Sequence, residues 1–210
     1  MAALLRFATP DVRRDLATLL GRSARLGIEA VRVTLVGELA LVTVPVLTTT
    51  GLLDRGPTIL AARTFSMQGS DSEDTVVPVQ AFEDALVDPE AEVELPSMTA
   101  VIPPWAAIAP PRSGWSHIGD LDPAVLASEA SAVLSEVANA LPANPGEAVV
   151  QSTRKTIWSA DFPDSLGLPR GAAFALEVLG FLSQERAVRV TSASRWLRAS
   201  SAFGEVLVKH

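Results

Sequence analysis

Few residues in this 210-residue chain have the types and spacing that catalysis or metal binding requires. The best-spaced candidate is the motif His117-x-x-Asp120-x-Asp122, whose imidazole and two carboxylates could contribute ligands to a metal ion. Asp122, however, directly precedes Pro123, and aspartate before proline is typical of a helix N-cap with proline at the first helical position. We therefore predict that Asp122 caps a helix and that no metal binds here.

A second candidate is the acidic stretch 71–94, which contains nine carboxylates and no basic residue. It lacks the calcium-loop pattern, because no glycine stands at the sixth position of a loop that would begin at its first aspartate. Three of its carboxylates could form a docking surface for a basic partner, or for the basic carboxy-terminal third of the same chain. The alternative is a solvated acidic face. The residues of this docking surface are Asp71, Glu73 and Asp74.

Familiar catalytic motifs are absent from the sequence. It contains no G-x-G-x-x-G, Walker, G-x-S-x-G or H-E-x-x-H pattern. It has no cysteine and no tyrosine, and its only histidines are His117 and His210. The adjacent Glu83 and Asp84 would point in different directions on a helix or a strand, so they do not form a catalytic pair. We predict no catalytic residue, no cofactor and no metal ligand.

Four arginines near the carboxy terminus suggest a nucleic-acid contact. Helices predicted over 123–141 and 170–182, followed by a hairpin, have the element order of a winged helix, and the arginines would lie on or near its wing. Against this, the segment 170–182 is too apolar to lie in a DNA groove, and the net charge of the chain is −7. The four residues are Arg186, Arg189, Arg195 and Arg198.

The element that organises the chain is a hairpin over 29–47. Gly37-Glu38 stands between two β-rich runs, and glycine at the first central position of a two-residue loop is the signature of a type II′ turn. This turn pairs Val33 with Val42 and brings a set of apolar side chains to one face, which we expect to be buried. The set is Val31, Val33, Leu35, Ala40, Val42 and Val44.

The other patterns indicate an α+β protein in three parts. Residues 1–95 contain a helix over 10–26, in which Arg13 is expected to face away from the apolar stripe, and an antiparallel meander. Residues 96–118 form a proline-rich crossing segment. Residues 119–210 form a helical lobe that ends in a small antiparallel sheet. Further predicted elements are strands over 58–67, 76–79, 187–191, 195–199 and 205–208 and a helix over 80–87, whereas 147–158 fits a helix or a strand.

Composition and charge limit the class of protein. A hydrophobic content of 48% suffices for a packed core. No apolar run reaches the length of a membrane span, and the amino terminus lacks the pattern of a secretory signal, so we expect a cytoplasmic protein without membrane contact. Residues 1–150 are strongly acidic and residues 151–210 are mildly basic, which favours two lobes of opposite charge.

Five segments of the chain resemble a family of uncharacterised proteins from actinobacteria. The resemblance spans most of the chain and implies a bacterial, cytoplasmic setting, but it implies no activity, cofactor, partner or site residue. The segments are VRVTLVGELALVTVPVL, RTFSM, GWSHIGDLDPAVL, PRGAAFALEVLGFL and TSASRWLRASSAFGEVLV.

The lack of catalytic groups beside a surplus of apolar strand surface favours a non-catalytic interaction or regulatory protein that self-associates. Its expected partner is a second copy or another protein. A DNA-binding transcriptional regulator is the second hypothesis, although the negative charge disfavours nucleic acid. An enzyme with an unrecognised site is the third.

Overall fold

The computed structural model describes residues 3–49, 54, 56–69, 72–88, 92–96 and 103–210. Within these residues it contains ten strands and five α-helices, which confirms the α+β class. The strands are β1 Leu4–Leu5, β2 Ala30–Val36, β3 Leu39–Leu47, β4 Thr58–Ser66, β5 Glu73–Pro78, β6 Val93–Glu94, β7 Ser116–Leu121, β8 Val188–Ala193, β9 Trp196–Ser200 and β10 Glu205–Lys209. The helices are α1 Pro10–Arg25, α2 Val79–Ala85, α3 Pro123–Ala140, α4 Glu147–Trp158 and α5 Arg170–Val178.

The chain divides into two compact units. Unit 1 comprises residues 1–45 and 62–109, and unit 2 comprises residues 46–61 and 110–210. The sequence-based division at residues 95 and 118 stays a prediction. No helix among the described residues has both the length and the apolar character that crossing a membrane requires.

In unit 1 the strand order is β5-β2-β3-β4, and β2 is antiparallel to both β3 and β5. The predicted hairpin is confirmed, because Val33 pairs with Val42 and the six side chains of its apolar face are at most 1% exposed. Gly37 has a φ of +58°, and Glu38 does not have a positive φ, as a type II′ turn requires. The turn and the hydrophobic alternation therefore specify the same register.

Helix α1 begins where the sequence predicts, with Thr9 as its N-cap: the Thr9 hydroxyl oxygen accepts a hydrogen bond from the amide of Val12 at 3.4 Å. The expectation for Arg13 is wrong, because its side chain is only 8% exposed. Its guanidinium lies 5.7 Å from the centroid of the Phe7 ring and donates a hydrogen bond to the carbonyl of Asp88. Contacts with the ring and the carbonyl offset part of the loss of water around this charge.

In unit 2 the strand order is β10-β9-β8-β7, and each of these neighbouring pairs is antiparallel. The sequence predicts β8, β9 and β10 but not β7, which begins inside the segment predicted as a crossing. Residues 147–158 are helical. The winged-helix analogy fails at α5, because Gly171 through Leu176 are all buried and a helix buried over most of its length cannot lie in a DNA groove.

Candidate functional site

The predicted N-cap role of Asp122 is confirmed. Its carboxylate accepts a hydrogen bond from the amide of Ala124 at 2.8 Å, and Pro123 is the first residue of α3. On β7, His117 Nε2 lies 3.3 Å from Asp120 Oδ1. Among the described residues, no group of three or more histidine, cysteine, aspartate and glutamate side chains is arranged to hold a metal ion.

Asp71, one of the three residues of the predicted acidic docking surface, lies outside the described residues. Asp74 lies on β5 and accepts hydrogen bonds from Arg32 Nε at 2.7 Å and from the Thr34 hydroxyl at 3.2 Å. The hydrogen bond from Arg32 is the main reason why the pKa of Asp74 lies below its ordinary value. Asp74 is therefore a cross-strand partner of Arg32, and the docking role of the acidic surface stays a prediction.

We expect Asp74→Asn to destabilise the protein by about 0.5–1 kcal/mol at neutral pH, a modest value because the ion pair is partly exposed. The lowered pKa of Asp74 means that its contribution is present above the unfolded-state pKa and is lost as pH falls through the folded-state pKa. The difference in urea unfolding between wild type and variant should therefore shrink in acid. Glu185→Gln, in an exposed turn, is the control. A difference that stays constant down to about pH 2 would contradict this prediction.

The hairpin tip of unit 1 exposes an apolar pair. Val36 and Leu39 are partners across the turn and are 63% and 50% exposed. Glu38 lies in the turn between them, and Glu73 begins β5 opposite Leu35, at the same end of the hairpin. We call Val36, Leu39, Glu38 and Glu73 the tip surface. It combines two exposed apolar side chains with two carboxylates.

The four predicted arginines of unit 2 do not form one cluster. Arg189 on β8 and Arg198 on β9 share one sheet face, because Arg189 is opposite Ser200 and Arg198 is opposite Thr191. Arg186 precedes β8 and Arg195 lies in the turn between β8 and β9, so the two residues are at opposite ends of β8. Six strand residues separate these ends by about 20 Å.

The shared face of Arg189 and Arg198 also carries carboxylates. The guanidinium of Arg198 lies 4.3 Å from the centroid of the Trp115 ring, and its Nε lies 3.9 Å from Glu205 Oε2. Burial raises the pKa of Glu205, although the charge of Arg198 opposes this shift. Arg189 lies opposite Asp120 of β7. Each arginine therefore has a carboxylate neighbour, and the face is not strongly basic.

A groove in unit 2, which the sequence does not predict, has a volume of about 740 Å³. This volume is within the range of small-ligand and peptide pockets, about 300–1,000 Å³. The end of β7, the start of α3 and the loop 162–166 form its walls. We call it the α3 groove. Its apolar lining includes Leu121, Val125, Phe162, Pro163 and Leu166.

The charges that border the α3 groove all have the same sign. Among the described residues that line it, four are acidic and none is basic. Asp122 is committed to the cap of α3, and Glu129 accepts a hydrogen bond from Arg170. The four acidic residues are Asp120, Asp122, Glu129 and Asp164.

The loop that forms one wall of the α3 groove has an unusual backbone. Asp164 and Leu166 both have a φ of +55°, a conformation that costs a non-glycine residue about 1 kcal/mol. Leu166 packs closely against Gly119, where an added Cβ would lie 2.7 Å from Leu166 Cδ1. A glycine at position 119 therefore lets the loop approach β7.

Two sequence families match the chain. Residues 1–107 match the domain of unknown function DUF8010, and residues 110–210 match the domain of unknown function DUF8185. A search of curated protein sequences finds no match.

The fold is similar to that of solved sliding clamps. Caulobacter crescentus pol III beta aligns with a TM-score of 0.51 and 11% identity over 99% of this chain and 64% of that chain. A DNA polymerase sliding clamp from Caulobacter crescentus aligns with a TM-score of 0.50 and 11% identity over 100% of this chain and 65% of that chain. A DnaN sliding clamp from Bartonella birtlesii, bound to griselimycin, aligns with a TM-score of 0.51 and 12% identity over 99% of this chain and 64% of that chain.

The chain thus spans slightly less than two thirds of the length of these clamps. At such low identities the likeness shows a shared fold, whereas the DUF8010 match covers half of the chain in sequence. The chain therefore belongs to the family of proteins that contain the domain of unknown function DUF8010.

Proposed function

We propose that this chain is a non-catalytic interaction protein that self-associates through the tip surface of unit 1. The observation that carries the proposal is the cross-strand pair Val36 and Leu39, of which both side chains are at least half exposed. When a second surface covers apolar side chains that are exposed together on a strand pair, their removal from water lowers the free energy and favours association. Strand β5, which carries Glu73 of this surface, is the last strand of the order in unit 1, and none of the described strands pairs with its outer edge.

The comparisons support an interaction role. The Bartonella birtlesii neighbour is a sliding clamp and a subunit of DNA polymerase III, and a subunit is one component of an assembly. We propose that this chain is likewise a component of an assembly rather than its catalytic part. The actinobacterial origin, which rests on the sequence resemblance, and the cytoplasmic location, which rests on the resemblance and on the sequence pattern, belong to the same proposal.

Light scattering over a wide range of protein concentrations tests self-association. We expect a mass that rises above the monomer mass of 22.1 kDa as concentration increases. The double variant Val36→Thr and Leu39→Thr should remain monomeric, because threonine keeps the β propensity of the hairpin but removes apolar surface. Val149→Thr, an exposed valine on α4, is the matched control. A wild type that stays monomeric throughout would overturn the proposal.

DNA binding is the second candidate function. It is favoured by the stacking of Arg198 on Trp115 beside the exposed Arg189, an arrangement that could contact phosphate and base. We expect retention of duplex DNA that weakens with salt and when Arg189, Arg195 and Arg198 become alanine, whereas Arg25→Ala in α1 leaves it unchanged. If no DNA is retained at low salt, this candidate is wrong.

A further inference from the structure

We propose that the α3 groove binds a peptide segment in which apolar side chains alternate with lysine or arginine. The proposal goes beyond self-association, because the groove lies in unit 2 and the tip surface lies in unit 1. It rests on three properties of the groove: its apolar lining, the sign of its charges and its contact with a strand edge.

The apolar part of the groove is sized for more than one small side chain. Leu121 and Phe162 are buried in its lining, and Leu166 is half-buried. Val125, on the first turn of α3, keeps 50% of its surface exposed although it lines the groove. Covering this exposed apolar surface with a side chain of a ligand would remove it from water.

The acidic residues of the groove favour a ligand that carries positive charge. Asp120, Asp122 and Asp164 are exposed at its border, and none of the described lining residues is basic. Asp120 has His117 and Arg189 as neighbours and Asp122 caps α3, so Asp164 contributes most to the negative charge that a ligand would meet. Asp164 makes no hydrogen bond or ion pair with another described residue, so its carboxylate is available to a ligand. An anionic ligand would be repelled, whereas lysine or arginine beside the apolar side chains would be attracted.

The strand edge favours a peptide over a small molecule. Gly119, Asp120 and Leu121 line the groove and belong to β7, which is the last strand of the order in unit 2. One edge of β7 pairs with β8, and none of the described strands pairs with the other edge. An extended peptide can add to such an edge through main-chain hydrogen bonds. Successive side chains of an extended peptide face opposite sides, as do those of Asp120 and Leu121 on β7. A peptide that alternates apolar and basic residues can therefore place its apolar side chains on the side of Leu121 and its basic ones on the side of Asp120.

Fluorescence anisotropy with three labelled peptides tests the proposal on the full chain. The first peptide alternates leucine and lysine, the second replaces its lysines by glutamate, and the third replaces its leucines by serine. We expect the first to bind at least about tenfold more tightly than the others, with an affinity that falls as salt increases. Equal binding of the first two peptides, or no binding of the first, would overturn the proposal.

The peptide affinities of variants with substitutions in the α3 groove test whether the peptide binds there. Asp164→Asn should weaken binding about threefold to fivefold, and asparagine suits the left-handed backbone at this position, so the loop should keep its conformation. Asp164→Lys should shift the preference towards the glutamate peptide, a change that a merely structural role would not produce. Val125→Ser should weaken binding of the first peptide. Asp161→Asn, an exposed carboxylate outside the groove lining, is the matched control and should bind as the wild type does.

The two proposals fail separately. If the wild type binds the leucine–lysine peptide but stays monomeric, the proposal for the α3 groove stands and the proposal of self-association through the tip surface is wrong. If the wild type self-associates but does not discriminate between the peptides, the proposal for the tip surface stands and the proposal for the α3 groove is wrong. The Val36→Thr and Leu39→Thr double variant should bind the peptide as the wild type does, because its changes lie in unit 1.

Discussion

Replacing Gly171 by alanine destabilises the protein by about 2–3 kcal/mol, although alanine is the better helix former. Gly171 lies in the first turn of α5, and an added Cβ would lie 2.8 Å from Ile59 Cδ1, 2.8 Å from Trp158 Cβ and 3.0 Å from the Trp158 carbonyl oxygen. The Trp158 ring stacks on Phe174 with centroids 4.7 Å apart, and a carbonyl oxygen cannot change rotamer. The clash must therefore move the backbone of α4 or α5.

Gly21→Ala is the matched control for this prediction. Gly21 lies inside α1, where the nearest atom to an added Cβ is the side-chain oxygen of Glu83 at 3.3 Å. That flexible side chain can move aside, so alanine should stabilise the protein by about 0.5–1 kcal/mol through its helix propensity. Urea unfolding followed by circular dichroism measures both variants. Changes of the same sign would contradict the steric explanation.

Arg170→Met should destabilise the protein by about 2–3 kcal/mol. At the start of α5, Arg170 Nε donates a hydrogen bond to Glu129 and Arg170 Nη1 donates one to Glu136, and each distance is 2.5 Å. The side chains of Arg170 and Glu129 are only 16% and 18% exposed. Burial lowers the pKa of Arg170, but hydrogen bonds with the two carboxylates outweigh this effect and raise it. Methionine fills a similar volume and leaves Glu129 without its cation, which is the main cost.

A double-mutant cycle separates the cost of leaving Glu129 without its cation from the cost of lost packing. Adding Glu129→Gln to Arg170→Met should recover part of the stability, because the uncompensated charge is removed. The single variant Glu129→Gln should itself be destabilising. Arg186→Met, in an exposed turn, should change the free energy of unfolding by less than about 0.5 kcal/mol. Strictly additive effects of the Arg170 and Glu129 variants would contradict the proposed charge coupling.

The elements that the sequence predicts correctly depend on residues close together in the chain. The type II′ turn needs only Gly37 and the alternating runs on either side of it, and these also set the register of Val33 with Val42. The caps at Thr9 and Asp122 are recognisable because each directly precedes a proline that begins a helix. Strand β7, which the sequence does not predict, shows the limit of such local patterns, because its bulge between His117 and Gly119 breaks the alternation that would reveal a strand.

The candidate sites depend on residues far apart in the chain. The buried Arg13 donates a hydrogen bond to the carbonyl of Asp88, which lies 75 positions away in the chain. Asp74 belongs to an acidic run in the sequence, yet its partner Arg32 comes from a neighbouring strand. The α3 groove combines the end of β7 with a loop more than forty residues later, so no local pattern contains it.

The sequence by itself determined the hairpin, the helix starts and the α+β class, because turn geometry, capping and hydrophobic period act over a few neighbouring residues. Only the tertiary structure decided which charges are neutralised and which apolar residues stay exposed. The periodicity of α3 does not distinguish the buried Leu126 from the half-exposed Val125, since burial depends on what the rest of the chain brings against each residue. For that reason the tip surface and the α3 groove emerge only from the folded chain.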